Sequence, residues 1–256
     1  MITKYYRPQS LDEAINLFSK QGTYPMGGGT QLTKKSDTSF AVVDLQNLDL
    51  NKIHKSGDKL EIGATSTLSS LSDSPHIPKT LRKVLFLETS INIRNRATVA
   101  GTLITCDGRS PFAAVMLALD AKIIFSSGRD PTILGNYLPL RTSLNCVHPF
   151  TSVRLVTKIQ IPTNVQFAFE SIARTAMDRP IVCAALVQWP SGRTRLTLGG
   201  YGSAPILALD GNDPGGIALA ARNAFIDAQD QWASSEYRSE MAAILAMRCA
   251  QEINNS

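Results

Sequence analysis

Two stretches decide the reading of this chain: Met26-Gly27-Gly28-Gly29-Thr30-Gln31, and Thr98-Val99-Ala100-Gly101-Thr102, which follows Asn92-Ile93-Arg94-Asn95-Arg96-Ala97. Each sets glycine beside hydroxyl residues between apolar segments. Glycine lets a backbone approach a ligand closely and tolerates φ > 0. Successive bare N–H groups in such a loop form a concavity that accepts phosphate oxygens. Neither stretch holds an Asp or Glu that would repel a phosphate. Two such loops, far apart in sequence, imply one diphosphate gripped from two sides. That points to a dinucleotide cofactor held without a Rossmann unit.

The rest of the sequence sets the frame. A chain of 256 residues, 43% hydrophobic and 18% charged, buries a sizeable core and is expected to form two domains. No apolar run approaches the roughly 20 residues of a membrane span. The start, Met1-Ile2-Thr3-Lys4-Tyr5-Tyr6, lacks the apolar stretch of a signal peptide, so a cytoplasmic location is expected. The net charge is +5, and the basic residues are scattered, which argues against nucleic-acid binding. The four cysteines, Cys106, Cys146, Cys183 and Cys249, lie at least 37 positions apart. That spacing excludes a C-x-x-C zinc or iron–sulfur site and fits reduced thiols in apolar surroundings. The histidines His54, His76 and His148 are dispersed, so no metal set and no catalytic triad is read.

Periodicity and punctuation place the two stretches. Ser10-Leu11-Asp12-Glu13 is a capping box opening a helix that Gly22 closes. Tyr24 leads as a short strand into the first loop, and Gln31 to Lys35 reads as a short helix or turn. Phe40–Leu45 and Leu60–Ala64 read as strands, the second after the turn Ser56-Gly57-Asp58. Thr67–Leu71 and Pro78–Ile93 read as helices, the latter running up to the second loop. Ser110–Leu119 predicts a helix with Phe112, Val115, Met116 and Leu119 on one face. Ala121–Phe125 and Leu155–Ile161 read as strands, and Gly135–Pro139 as a loop. Beyond Thr163-Asn164 the pattern changes. Phe167–Ala173, Val182–Trp189 and Arg193–Gly199 read as three strands, or as two strands flanking a helix. Two helices follow, near Gly216–Asp227 and Ser235–Glu252, the second with Met241, Ile244, Leu245 and Arg248 at helical spacing. Strands then helices without strict alternation argue for an α+β second domain.

These residues, taken in order, resemble the FAD-binding medium subunit of the carbon monoxide dehydrogenase and xanthine dehydrogenase family of molybdenum hydroxylases. The first loop occupies the place of that family's first flavin motif. Ile93-Arg94-Asn95-Arg96-Ala97-Thr98-Val99-Ala100-Gly101-Thr102 resembles its IRN-x-AT-I-GGN motif. Val115-Met116-Leu117-Ala118-Leu119-Asp120-Ala121 resembles the helix end that follows. Ala173-Arg174-Thr175 with Asp178-Arg179-Pro180-Ile181-Val182, Leu198-Gly199-Gly200 with Pro205, and Ala233-Ser234-Ser235-Glu236-Tyr237-Arg238 carry the likeness through the second domain.

The resemblance implies an α+β chain. Residues 1–163 would form a two-subdomain FAD-binding domain of the vanillyl-alcohol oxidase (PCMH) type, split near residue 57, and residues 164–256 a smaller α+β C-terminal domain. It implies an oxidoreductase subunit in which FAD takes electrons from a 2Fe-2S small subunit, fed in turn by a molybdopterin-binding large subunit, and passes them to NAD or another acceptor. On this likeness, backbone N–H groups from Gly27 to Thr30, flanked by Met26 and Gln31, cradle the pyrophosphate, and Thr98, Ala100, Gly101 and Thr102 close the other side. The family's Gly-Gly-Asn stands here as Ala100-Gly101-Thr102. An Asp used by relatives on the adenosine half aligns with Pro111, and Asp107 is its nearest substitute. A lysine found near the isoalloxazine ring falls at about Ser171, and Val156 aligns with an apolar position beside that ring. Two other readings keep the same fold: a scaffold subunit without FAD, and a free-standing FAD oxidoreductase.

Overall fold

The computed structural model describes residues 1–33, 38–126, 131–143, 155–175 and 178–255. The expectations for Lys34, Lys35, Cys146 and His148 lie outside them. The chain divides into two compact units. The first holds residues 1–76, 91–105 and 122–160, and the second holds 77–90, 106–121 and 161–256. The last crossing thus falls at 160/161, and two earlier segments also belong to the second unit.

The first unit begins with β1 (Ile2–Tyr6), α1 (Leu11–Phe18), β2 (Thr23–Met26) and β3 (Phe40–Asp44). Ser10 accepts the Glu13 N–H at 3.2 Å, and the Glu13 carboxylate accepts the Gln9 N–H at 2.9 Å. The capping box therefore forms, with its return bond one residue upstream of the cap. The three strands make a wholly parallel sheet in the order β1-β3-β2. Ala14 of α1 is buried in one cluster with Val43, Leu45 and Leu155, and Leu11, Leu17 and Phe18 pack on it. The hairpin β4 (Ile53–Ser56) and β5 (Lys59–Gly63) follows, then α2 (Leu68–Asp73), capped by Thr67.

Next in chain order come α3 (Lys79–Glu88) of the second unit, α4 (Ile91–Arg94) and α5 (Val99–Thr105) of the first, and α6 (Pro111–Ala118) of the second. The expected single helix over 78–93 is two helices. Thr89 between them is extended (φ −166°, ψ 170°), and the chain changes unit there. The first unit resumes with β6 (Lys122–Phe125), β7 (Thr132–Ile133) and α7 (Leu134–Ser143), and β8 (Val156–Pro162) completes a five-stranded sheet in the order β4-β5-β8-β6-β7. Helix α7 replaces the loop expected at Gly135–Pro139. Leu134, Tyr137 and Leu138 bury at i, i+3 and i+4, a helical stripe that outweighs the two breakers around it.

The second unit is a four-stranded antiparallel sheet, β9 (Gln166–Ile172), β10 (Val182–Gln188), β11 (Thr194–Gly199) and β12 (Ile206–Gly211), with α8 (Ile217–Ala224) and α9 (Ser235–Asn254). The alternative of two strands flanking a helix is thereby excluded, and β12 is a strand that the pattern did not reveal. Period-2 alternation puts Ala184, Leu186, Leu196 and Leu198 against α8 and α9, while Thr197 on the other face donates its hydroxyl to the Ala114 carbonyl of α6 at 2.7 Å. Helix α6 is buried on every side between this sheet and α3, so its one-faced reading fails. The buried stripe of α9 is Arg238, Ala242, Leu245, Ala246, Cys249 and Ile253, whereas Ile244 faces out. Small residues let α9 lie close to the sheet, and an alanine face gives little hydrophobic signal.

One carboxylate holds α3 to α6. Glu88 accepts the Ser110 hydroxyl and the Phe112 N–H, each at 2.9 Å, at the N-terminus of α6. Burial pushes its carboxyl above the ordinary glutamate range, and these two bonds offset that only in part. A raised value in the fold means that the stability due to the proton is complete below the unfolded value of 4.5 and is lost as pH rises through the folded one. Glu88→Gln keeps an oxygen for both donors and removes the ionisation. We expect the melting temperature of the native chain to fall relative to Glu88→Gln as pH rises above 4.5. Parallel pH profiles in differential scanning fluorimetry would contradict this.

Candidate functional site

The two stretches read from the sequence meet within the first unit. Strands β1, β3 and β2 run parallel, so their carboxyl ends share one edge, where Met26 lies in register with Asp44. Ligands of such sheets bind beyond that edge. The first loop leaves it directly. The Met26 carbonyl accepts the Leu45 N–H at 3.0 Å, and the loop is closed by Thr33, whose N–H and hydroxyl donate to the Gly29 carbonyl at 3.1 and 2.8 Å. Gly29 has φ +73°, a conformation that side chains resist. A Cβ on Gly28 would lie 1.5 Å from the Arg96 carbonyl oxygen, and one on Gly27 would lie 2.8 Å from Thr98 Oγ1. The glycines are therefore required by the approach of one loop to the other.

The second stretch is not a loop. Val99–Thr105 is helix α5, and Thr98 caps it, accepting the Gly101 N–H on its hydroxyl at 3.1 Å. Thr98 also forms an antiparallel bridge with Thr67. The Val99 N–H donates to the Ser66 carbonyl at 2.8 Å and the Ala100 N–H to the Ala64 carbonyl at 3.2 Å, while the Thr102 N–H donates to the Thr98 carbonyl at 2.8 Å. The Thr102 hydroxyl donates to that same carbonyl at 2.9 Å. The amides from Val99 to Thr102 are thus spent inside the protein. In contrast, among the described residues no protein acceptor meets the amides of Gly27, Gly28, Gly29 or Thr30. Backbone donors normally find a partner. Four adjacent donors without one, on a strip nearly free of side chains, fit an anionic ligand.

Residues 64–67, which seat the second stretch, read in the sequence only as the end of a strand and the start of a helix, with no part in the site. Their signal was present: Gly63-Ala64 closes a strand and three hydroxyl residues follow. The carboxylate at the sheet edge already has partners inside the protein. Asp44 is buried, accepts the Tyr5 hydroxyl and the Gln46 N–H, and lies 3.8 Å from Arg7. Its bond from Tyr5 holds that phenol above its ordinary range.

Other residues fall elsewhere. Val156 is buried on β8. Ser171 lies on β9, paired with Cys183 of β10. Asp107 belongs to the second unit and takes two bonds from the Arg179 guanidinium, one at 2.7 Å. Burial pushes its carboxyl up, but the Arg179 contact and the Arg109 N–H outweigh it and hold it below the ordinary carboxylate range. Arg94 is buried and Arg96 exposed. Arg238 is buried, donating to the Gly200 carbonyl at 2.9 Å and to Asp230 at 2.7 Å, in a structural role. Among the described residues no group of His, Cys, Asp and Glu could hold a metal, and no helix is long and apolar enough to cross a membrane.

The fold sets an unpartnered glycine strip at the carboxyl edge of a small parallel sheet, an arrangement of donors suited to a diphosphate. Residues 1–164 match the family described as FAD binding domain in molybdopterin dehydrogenase, and the chain belongs to that family. FAD is its cofactor, and its class is oxidoreductase. The chain is 27% identical over 259 residues to the uncharacterized protein YgfM of Escherichia coli K12, covering 96% of this chain and 94% of that one. It is 27% identical over 278 residues to the carbon monoxide dehydrogenase medium chain of Afipia carboxidovorans, covering 96% and 95%. The solved structure of reconstituted CO dehydrogenase from Oligotropha carboxidovorans superposes with a TM-score of 0.81 at 24% identity, covering 98% and 96%.

The site makes a direct demand on Gly28. Gly28→Ala pushes the first loop off the Arg96–Thr98 segment, and we expect bound FAD to fall at least tenfold. Gly211→Ala, where a Cβ meets open space, should keep full FAD content. Flavin absorbance per chain after gel filtration reads both. Equal FAD content in the two variants would contradict the site.

Proposed function

We propose that this chain is the FAD-binding medium subunit of a molybdenum hydroxylase complex, and that it passes electrons from an iron–sulfur subunit through FAD to a soluble acceptor. The observation that carries the reading is the match over nearly the whole of both chains with a carbon monoxide dehydrogenase medium chain, joined to the glycine strip whose amides lack protein acceptors.

Bound FAD supplies one- and two-electron redox chemistry. The chain supplies position. The N–H groups of Gly27, Gly28, Gly29 and Thr30 donate to the diphosphate, with Met26 fixing the loop on β2 and Gln31 beginning its return. The second stretch works as a wall: Arg96, Ala97 and Thr98 back the first loop, and Ala100, Gly101 and Thr102 carry the first turn of α5 behind it. The exchange of Gly-Gly-Asn for Ala100-Gly101-Thr102 fits that role, because Thr102 turns its hydroxyl to the Thr98 carbonyl. Val156 is the apolar neighbour proposed for the ring. Asp107, the nearest substitute for the Asp of the adenosine half, is held in place by Arg179.

The partners proposed are a molybdopterin-binding large subunit and a 2Fe-2S small subunit, with NAD or another soluble acceptor taking the electrons in the cytoplasm. Expressed with those subunits, the chain should co-purify with them. The complex should show flavin absorbance, and one FAD per chain should be released on denaturation. Addition of the large subunit's substrate should bleach the flavin band. A chain that purifies yellow but alone in the presence of both subunits would overturn the complex and leave FAD binding intact.

A further inference from the structure

The last peptide of the glycine strip is aimed by a residue outside it. In a planar trans peptide the C=O of one residue and the N–H of the next point in opposite directions. The described peptides are trans. Whatever holds the carbonyl therefore sets the direction of the amide. The first peptide of the strip is held by the sheet. The Met26 carbonyl accepts the Leu45 N–H at 3.0 Å, so the Gly27 N–H points away from Leu45. The last peptide, Gly29–Thr30, lies past the end of β2 at Met26 and has no strand to hold it. Among the described residues only Thr33 meets the Gly29 carbonyl, through its N–H at 3.1 Å and its hydroxyl at 2.8 Å. A carbonyl oxygen has two lone pairs, and Thr33 supplies a donor for each. The φ of +73° at Gly29 turns the chain so that this pairing forms. A residue in that region is what bends successive N–H groups into an anion-binding concavity.

The two faces of this peptide are opposite in sign. With the Gly29 oxygen tied to Thr33, the Thr30 N–H points away from Thr33. A peptide plane free to rotate would present an oxygen where a diphosphate needs a donor. We propose that Thr33 is a positioning residue of the diphosphate site: its hydroxyl locks the Gly29–Thr30 peptide so that the Thr30 N–H, and not the Gly29 carbonyl, faces the anion. Thr33 acts through that peptide and makes no contact with the ligand itself. The inference rests on the reading of the glycine strip as the diphosphate site, and it adds to that site a residue that neither stretch contains.

The test compares Thr33→Val with Thr33→Ser in the full chain. Valine keeps the methyl that stands 3.8 Å from where a Cβ on Gly29 would lie, and loses the hydroxyl. Serine keeps the hydroxyl. Thr33 is exposed, so both variants should keep the native melting temperature. Three quantities are read: the FAD dissociation constant of the flavin-stripped chain, the phosphorus NMR resonances of bound FAD, and the Thr30 amide resonance with and without FAD. The expected result is that Thr33→Val weakens FAD about fivefold, the net worth of one hydrogen bond. It should also shift the phosphorus resonances and the Thr30 amide of the bound state, and Thr33→Ser should restore all three. Native values in Thr33→Val, with a Thr30 amide that responds to FAD in the native chain, would overturn the role of Thr33 and leave the strip intact. Weaker FAD in Thr33→Val without a change at Thr30 or at phosphorus would also overturn it, because the loss would then be general loosening. A native chain whose Thr30 amide is indifferent to FAD would instead overturn the strip as the diphosphate site, and this inference with it.

Discussion

The structure of the site depends on a backbone contact: the first glycine loop lies against the carbonyl of Arg96, with no room for a single Cβ between them. Everything in the proposed site follows from that approach. It needs Gly27 and Gly28 on one side. On the other side it needs a rigid carbonyl, which α4 and α5 provide by flanking the short segment 95–98. Rigidity there comes from hydrogen bonds to residues 64–67, so the end of β5, the bridge at Thr67 and the cap of α5 act as one piece. A loop held this way keeps its donors pointed at one place before a ligand arrives, which lowers the ordering cost of binding.

The two stretches therefore divide the work unequally. The first offers four amide donors from Gly27 to Thr30. The second has spent its donors on its own helix and on its neighbours, and contributes shape. This division fits Ala100 and Thr102 standing where the motif that the chain resembles has glycine and asparagine, because the amides of 99–102 are bonded inside the protein. A position whose amide is committed internally is constrained by the helix and by the loop that it faces. The second unit has its own economy. Its sheet is covered on both faces, by α6 and by α8 with α9, and its buried charges are tied in pairs such as Arg238 with Asp230 and Arg195 with Asp120.

Much of this was legible in the sequence because its signals are local. The capping box at Ser10, the strand before Gly27, the turn at Gly57 and the start of the last helix at Ser235 each act over a few residues, and each forms where it is read. The family likeness rested on such motifs in order, and the family match over residues 1–164 agrees with it. What local signals could not carry was tertiary in origin. Glycine and proline at 135 and 139 concealed α7, whose stripe matters only once packed. Thr89 broke a continuous helical pattern because the chain there passes between units. The second stretch reads as a loop from its small residues alone. It becomes a helix start because residues 64–67, distant in sequence, accept its first amides. Alanines at 242 and 246 hid the buried face of α9.

Amide hydrogen exchange with and without FAD tests the central claim most directly, because it reads each backbone donor separately. The account predicts that Gly27, Gly28, Gly29 and Thr30 exchange rapidly in the chain stripped of flavin and become protected when FAD is added. It also predicts that Val99, Ala100, Gly101 and Thr102 are protected in both states. Rapid exchange at 99–102 that FAD slows, with residues 27–30 unchanged, would contradict it.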